Sequence, residues 1–235
     1  MTIHRPGLPS DLPKAETLWA RWALIAAVRA DGAGKPAGSG NRSGHWIDAD
    51  GLHWDDAGCT WWTMSRMGGS RFVLYGEDEA SEVKWHRPPI DMLAGAPDWL
   101  PYDELHERIE GNEVGSVYWY EDGIWARAPY PDDLRDDGLE CGMSNLADRD
   151  EVIETLVPHL TEPVDGPSID CLLADAESYR LDLQLLLDRL RPETPLDPPP
   201  DRAAAGATLA AAGIITQRAR FSGQAELLDH HRIRP

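Results

Sequence analysis

An α+β fold is predicted for this 235-residue chain: an antiparallel twisted sheet with a C-terminal helical layer, plus an N-terminal helix and a loose C-terminal tail. Three features carry that expectation. Short β-rich runs separated by glycine-bearing turns fill residues 45–131, apolar residues recur at helical spacing from Ile169 to Leu190, and a second helical stripe lies near the start. Hairpin-linked strands in the middle with helices on either side in the chain are the pattern that lays helices against an antiparallel sheet.

The first helix is expected from about Leu12 to Arg29. Ser10 or Asp11 is available as N-cap, Pro13 is tolerated in the first turn, and Gly32 stands just past the end. Leu18, Trp22, Ile25 and Arg29 form one stripe, which Trp19, Ala23 and Ala26 widen. Residues 31–44, DGAGKPAGSGNRSG, have no periodic apolar positions and read as a flexible linker.

Eight of the ten tryptophans fall between His45 and Pro131, and none follows Trp125. Thr60–Met67 and Arg71–Tyr75, joined around Gly68-Gly69, read as one hairpin. Val114–Tyr120 and Ile124–Ala128, joined by Glu121, Asp122 and Gly123, read as another, and Trp46-Ile47 with Leu52–Trp54 around DADG as a third. Between them, Ile90–Ala94 reads as a helical turn and Tyr102–Ile109 as a helix opening behind Pro101.

Asp148–Val157 is expected to be a short helix that ends where the Pro158 ring meets the carbonyl of Glu154. Ser168 caps the next run, in which Ile169, Leu172, Leu173, Ala176, Tyr179, Leu183, Leu186, Leu187 and Leu190 predict one continuous helix. Pro192, Pro195 and Pro198–Pro200 make a stiff linker, and the alanine-rich end reads as weakly structured. Three regions result: 1–44, helix and linker; 45–190, an acidic Trp-rich domain; 191–235, linker and tail.

Charge narrows the function. Against 22 Lys plus Arg stand 41 Asp plus Glu, a net −19, and residues 46–190 alone carry −23. An acidic surface disfavours nucleic acid and anionic membranes, because binding phosphate relies on Lys and Arg displacing counterions. No apolar run approaches the ~18 residues of a membrane span, and no secretory leader is recognisable, so a cytoplasmic location is expected. Cys59, Cys141 and Cys171 fit neither a disulfide framework nor a paired-cysteine zinc site and are expected as buried reduced thiols.

Several chemistries lack their residues. GAGKP is not a phosphate-binding loop, since Arg29 and Pro36 stand where Gly and Ser or Thr are needed. There is no Gly-x-Ser-x-Gly elbow, and His106, Glu107 and Glu110 lack the second histidine of a helical metal site. No cofactor is expected. In HWIDADGLHWDD the preferred reading of the carboxylates is turn chemistry, with a cation site at Asp48, Asp50 and His53 as the alternative.

Ten Trp against two Phe is an uneconomical choice for core volume alone, because each indole N–H needs a partner when buried. The densest aromatic group is Tyr118, Trp119, Tyr120, Trp125 and Tyr130, followed by Asp132, Asp133, Asp136 and Asp137. These nine are the candidate binding residues, read as aromatic anchors ringed by carboxylates; no catalytic residue is assigned. Short Trp-bearing strands, the turn Ala96-Pro97-Asp98-Trp99-Leu100-Pro101 and the acidic body give residues 45–165 a texture that resembles bacterial immunity and inhibitor proteins. The resemblance implies a basic protein as partner and transfers no residue role. A non-enzymatic acidic interaction protein is therefore expected, with a carbohydrate or small-molecule hydrolase as the alternative, in which a pocket would bring His53 or His86 near two or more acids.

Overall fold

In the computed structural model, which describes residues 2–30, 43–163, 165–191 and 201–216, three hairpins lie side by side in chain order. Strands β1 (Gly44–Ile47), β2 (Leu52–Asp55), β3 (Trp61–Gly68), β4 (Arg71–Glu77), β5 (Ser116–Glu121) and β6 (Ile124–Arg127) form one antiparallel sheet in that order. The turns follow from their residues. Asp122 and Gly123 both take positive φ, 54° and 85°, as a two-residue hairpin turn demands. Gly51 is irreplaceable in the first hairpin: at φ 142° a Cβ there would stand 2.2 Å from the carbonyl oxygen of Met64.

Register sorts the side chains between two faces. Leu52, Met64, Leu74 and Tyr118 oppose one another across four strands, as do Phe72, Tyr120 and Trp125 across three. This face meets the helices: α1 (Ala15–Val28), α3 (Leu139–Ala147), α4 (Arg149–Leu156), α5 (Ile169–Glu177), α6 (Leu183–Arg189) and α7 (Arg202–Ala212). α2 (Tyr102–Glu110) belongs to the connection between β4 and β5 and lies on the other face.

α1 is the hub of the helical layer. Twelve of its fourteen residues are buried, and it packs against α7, α5, α4, α3 and β1. A helix apolar on all sides must be enclosed on all sides, and each fully buried Leu24 or Ile25 stabilises by roughly 1.5–3 kcal/mol. Its one buried charge, Arg21, pairs with Glu177 at 2.7 Å and donates to the carbonyls of Leu146 and Ala147 at the buried C-terminal end of α3, where the helix dipole favours a cation. Residues 201–216, assigned by composition to the tail, carry α7, capped by Asp201 and tied to α1 by the bond from Trp19 Nε1 to the Ala212 carbonyl, 3.0 Å. Segments 31–42 and 192–200, expected as linkers, and the rest of the tail, 217–235, lie outside the described residues.

The helix expected from Ser168 to Leu190 is two helices. Ser168 does cap α5, but Tyr179 turns left-handed at φ 59°. The backbone of Leu181 then pairs with residues 214–216, donating to Ile214 and accepting from Thr216, and Asp182 caps α6 through the N–H groups of Gln184 and Leu185. Periodicity does not see a long-range backbone pairing, and Asp182 offers the chain a fresh helix start. α3, not anticipated, packs so closely that a Cβ at Gly142 would overlap the Trp62 indole nitrogen.

One buried carboxylate binds the N-terminal segment to the sheet. Asp137 accepts from the N–H groups of Gly7 (2.9 Å) and Leu139 (3.3 Å) and from the Tyr118 hydroxyl, whose oxygen lies 3.1 Å from the Gly7 carbonyl oxygen. Burial pushes its pKa up against these bonds and the nearby Arg127.

His45 at the start of β1 is buried, stacked on Trp54 with rings 5.9 Å apart, and burial together with Arg29 pushes its pKa down to about 3. Between pH 6.5 and 3 the unfolded chain therefore binds a proton that the folded chain refuses, so stability rises with pH through that window and is lost as pH falls. Urea melts at pH 7 and pH 5 should differ by about 2 kcal/mol more in the native protein than in a His45→Phe variant; equal pH dependence in the two would contradict the burial of a neutral imidazole.

Candidate functional site

Among the described residues, the second face of the sheet is only partly covered. Val73, Tyr75, Val117 and Trp119 pack under Met92, Leu93, Leu100 and Leu105 from the β4–β5 connection, which makes a second core. That connection stops short of β1 and β2. There the sheet face and the rim of the connection enclose a groove of about 770 Å³, lined by Trp46, His53, Asp55, Trp61, Thr63, Glu77, Lys84 and Trp85 among others.

The floor is a row of facing residues, Trp46, His53 and Thr63, on strands β1 to β3, which continues on β4 to Tyr75 of the second core. Trp46 stacks on the His53 ring at 5.0 Å and donates its Nε1–H to Asp48 Oδ2 at 3.1 Å. His53 is held at both nitrogens, Nε2 against Asp48 Oδ1 at 2.7 Å and Nδ1 against Thr63 Oγ1 at 3.0 Å. The network assigns the neutral ring a proton on Nε2, so that Nδ1 accepts from the Thr63 hydroxyl. Burial raises the Asp48 carboxyl most, but bonds from His53, the Asp50 N–H and Trp46 outweigh it and hold the pKa below the usual range.

The adjacent row, Asp55, Trp61 and Glu77, leads to the wall. Trp61 meets Tyr75 edge-on at 6.0 Å. Glu77 Oε1 pairs with Lys84 Nζ at 2.5 Å, while the other oxygen, pressed where a Gly115 Cβ would stand 2.3 Å away, accepts no bond among the described residues. Burial pushes the Glu77 pKa up, and Lys84 opposes it. Lys84 and Trp85 come from a 3-10 turn, Val83–Trp85, and Trp85 is 62 % exposed. Arg108 of α2 closes the far side, paired with Glu104 and Glu113 at 3.2 and 3.5 Å. Asp55, Glu77, Glu79 and Glu113 thus face two cations, Lys84 and Arg108, so the lining is net acidic.

This is not where the sequence places the anchors. Tyr118, Trp119, Tyr120 and Trp125 are buried. The Tyr120 hydroxyl bonds Glu16, Trp125 Nε1 donates to the Pro13 carbonyl, and Trp119 lies in the second core. Both faces of β5 are covered, so alternation there separates two cores and leaves no wet side. Tyr130 is half-buried beneath the Arg127 guanidinium, 3.7 Å from its ring. Asp132 and Asp133 are exposed, Asp136 lies 3.6 Å from Arg5, and Asp137 is the buried tie described above, so these nine residues do not form one exposed patch. His86 sits apart in a smaller groove with Asp133 and Pro88.

Asp48 and Asp50 belong to the DADG turn, Asp48 accepting the Asp50 N–H at 3.0 Å and the bond from His53 on β2, and no group of three His, Cys, Asp or Glu among the described residues is arranged to hold a metal. The three cysteines are free and exposed, contrary to the buried thiols expected: Cys59 lies in the loop between β2 and β3, and Cys141 and Cys171 on the exposed sides of α3 and α5. Sequence reasoning missed the groove although its signal was present: Trp46 faces His53 and Trp61 faces Asp55, two pairs on the same face of the first three strands. Comparison with family models, with curated proteins and with solved structures returns no match.

Thr63 is 4 % exposed, and Thr63→Val removes its hydroxyl while keeping its shape. The change should cost about 1–3 kcal/mol in urea unfolding by leaving His53 Nδ1 without its partner; an unchanged midpoint would show that the His53–Thr63 bond contributes nothing.

Proposed function

We propose that this protein is an acidic interaction protein that receives a basic protein partner in the groove on the uncovered half of its sheet. The observation that supports it is the convergence of Trp46, Trp61 and Trp85 with Asp55, Glu77, Glu79 and Glu113 in one groove. Indole faces attract cations, most strongly where water is excluded, and the surrounding carboxylates add long-range attraction that speeds encounter. Buried aromatic anchors within a charged rim are the arrangement from which protein interfaces draw most of their binding energy. An acidic protein that masks a basic one is the role of the immunity and inhibitor proteins that its sequence texture resembles. The anchors in this proposal are the groove tryptophans, and Trp119 and Trp125 act through folding.

The test is a tryptophan-fluorescence titration with a hexa-arginine peptide. Saturable binding should weaken steeply between low and high salt, and Trp85→Ala, which alters an exposed side chain, should weaken it about tenfold, the effect of ~1.4 kcal/mol. Salt-independent binding, or full binding by both Trp85→Ala and Trp46→Ala, would overturn the proposal.

A hydrolase acting on a carbohydrate or small molecule is the second reading, favoured by one observation: the groove brings His53 together with Asp48 behind it and Asp55 and Glu77 beside it. Both His53 nitrogens are engaged, so its proton chemistry would run through the Thr63 hydroxyl. Turnover of aryl glycosides or aryl esters that is lost in His53→Gln would support this reading; peptide binding that survives His53→Gln, without turnover, would support the first.

A further inference from the structure

Lys84 is the groove's own cation. Its ammonium has three partners, the carboxylate of Glu77 at 2.5 Å, the carbonyl of Asn112 at 3.3 Å and the ring of Trp85 at 5.4 Å. A carboxylate, a carbonyl and an indole face are the groups a foreign cation would use. They come from different elements: the end of β4, the segment after α2, and the 3-10 turn. The ammonium reaches them on a flexible four-carbon stem from the rim of the groove. Arg108, the other cation of the lining, is already committed to Glu104 and Glu113. Asp55 and Glu79 remain as acidic lining beyond these pairs.

We infer that Lys84 occupies, in the free protein, the subsite that an arginine side chain of the partner takes in the complex, and that it swings out when the arginine enters. The inference rests on the reading of the groove as a partner site. Arginine is the group that fits. Its planar guanidinium stacks on indole, is less strongly hydrated than an ammonium, and presents a fork of donors to a carboxylate. Lys84 holds Oε1 of Glu77, while Oε2 is buried against Gly115, so the incoming guanidinium takes over Oε1 with one arm of its fork and turns the others to the Asn112 carbonyl. Lys84 therefore has two effects in the free state: it neutralises Glu77 inside the groove, and it sets a threshold that weakly held cations do not pass.

The experiment compares hexa-arginine affinity across substitutions at position 84. Lys84→Met keeps the length of the stem and removes the competitor, so affinity should rise at least fivefold. Adding Glu77→Gln to Lys84→Met should return it to or below the native value. Lys84→Arg, which keeps the charge pair and the fold, should hold the subsite more tightly and lower affinity severalfold. Thermal melts of each variant establish that it is folded. If binding is lost in Trp85→Ala but Lys84→Met and Lys84→Arg both bind like the native protein, the groove is the site and Lys84 is only a structural partner of Glu77, which overturns this inference alone. If neither the native protein nor Lys84→Met binds the peptide, the reading of the groove falls with it.

Discussion

A six-stranded antiparallel sheet has two faces, and every apolar side chain that alternation sends to a face needs something to cover it. Here one face is roofed by α1 and the helices packed around it, and the other by the connection between β4 and β5. The helical cover is anchored at its centre by a helix that is buried almost all round. Among the described residues, the second cover reaches β3 to β6 and stops short of the facing residues of β1 and β2. From that mismatch in reach follows the groove, with Trp46 and His53 on its floor and Lys84 and Trp85 on its rim.

Electrostatics give the groove its character. The excess of acid belongs to the body of the chain, residues 46–190, and most acids there are solvated and contribute little individually. The buried charges are treated differently. Arg21 meets Glu177 and two carbonyls, Asp137 meets two N–H groups and a phenol, and Glu77 meets Lys84. The first two are bonded from several directions and tie elements together. Of these three Glu77 differs, a half-buried carboxylate with one unbonded oxygen at the wall of the groove, and burial raises its pKa accordingly.

Local chemistry made the strands and turns legible. Gly68-Gly69 and Asp122-Gly123 demanded tight turns, and Ser168 announced the start of α5. What was not legible depends on contacts between distant segments. The α5–α6 break is imposed by pairing of Leu181 with residues 214–216, and α7 is held by α1, 193 residues away at the Trp19–Ala212 bond. That the nine aromatic and acidic residues do not share one surface was not legible for the same reason. Alternation divides Tyr118 from Trp119 but says nothing of which face is covered, and both are. Aromatic density marked the centre of the sheet, where each face has a core, whereas the tryptophans of the groove lie toward its first edge, where one cover runs out.

The central claim is that Trp46, Trp61 and Trp85 face a cation-accepting groove while Trp22, Trp119 and Trp125 are sealed inside. Indole N–H resonances of a 15N-labelled sample, recorded while hexa-arginine is added, report each tryptophan separately. The account predicts that the signals of Trp46, Trp61 and Trp85 shift progressively and those of Trp22, Trp119 and Trp125 stay in place. Shifts confined to the second set, or no shift in the first at saturating peptide, would contradict it.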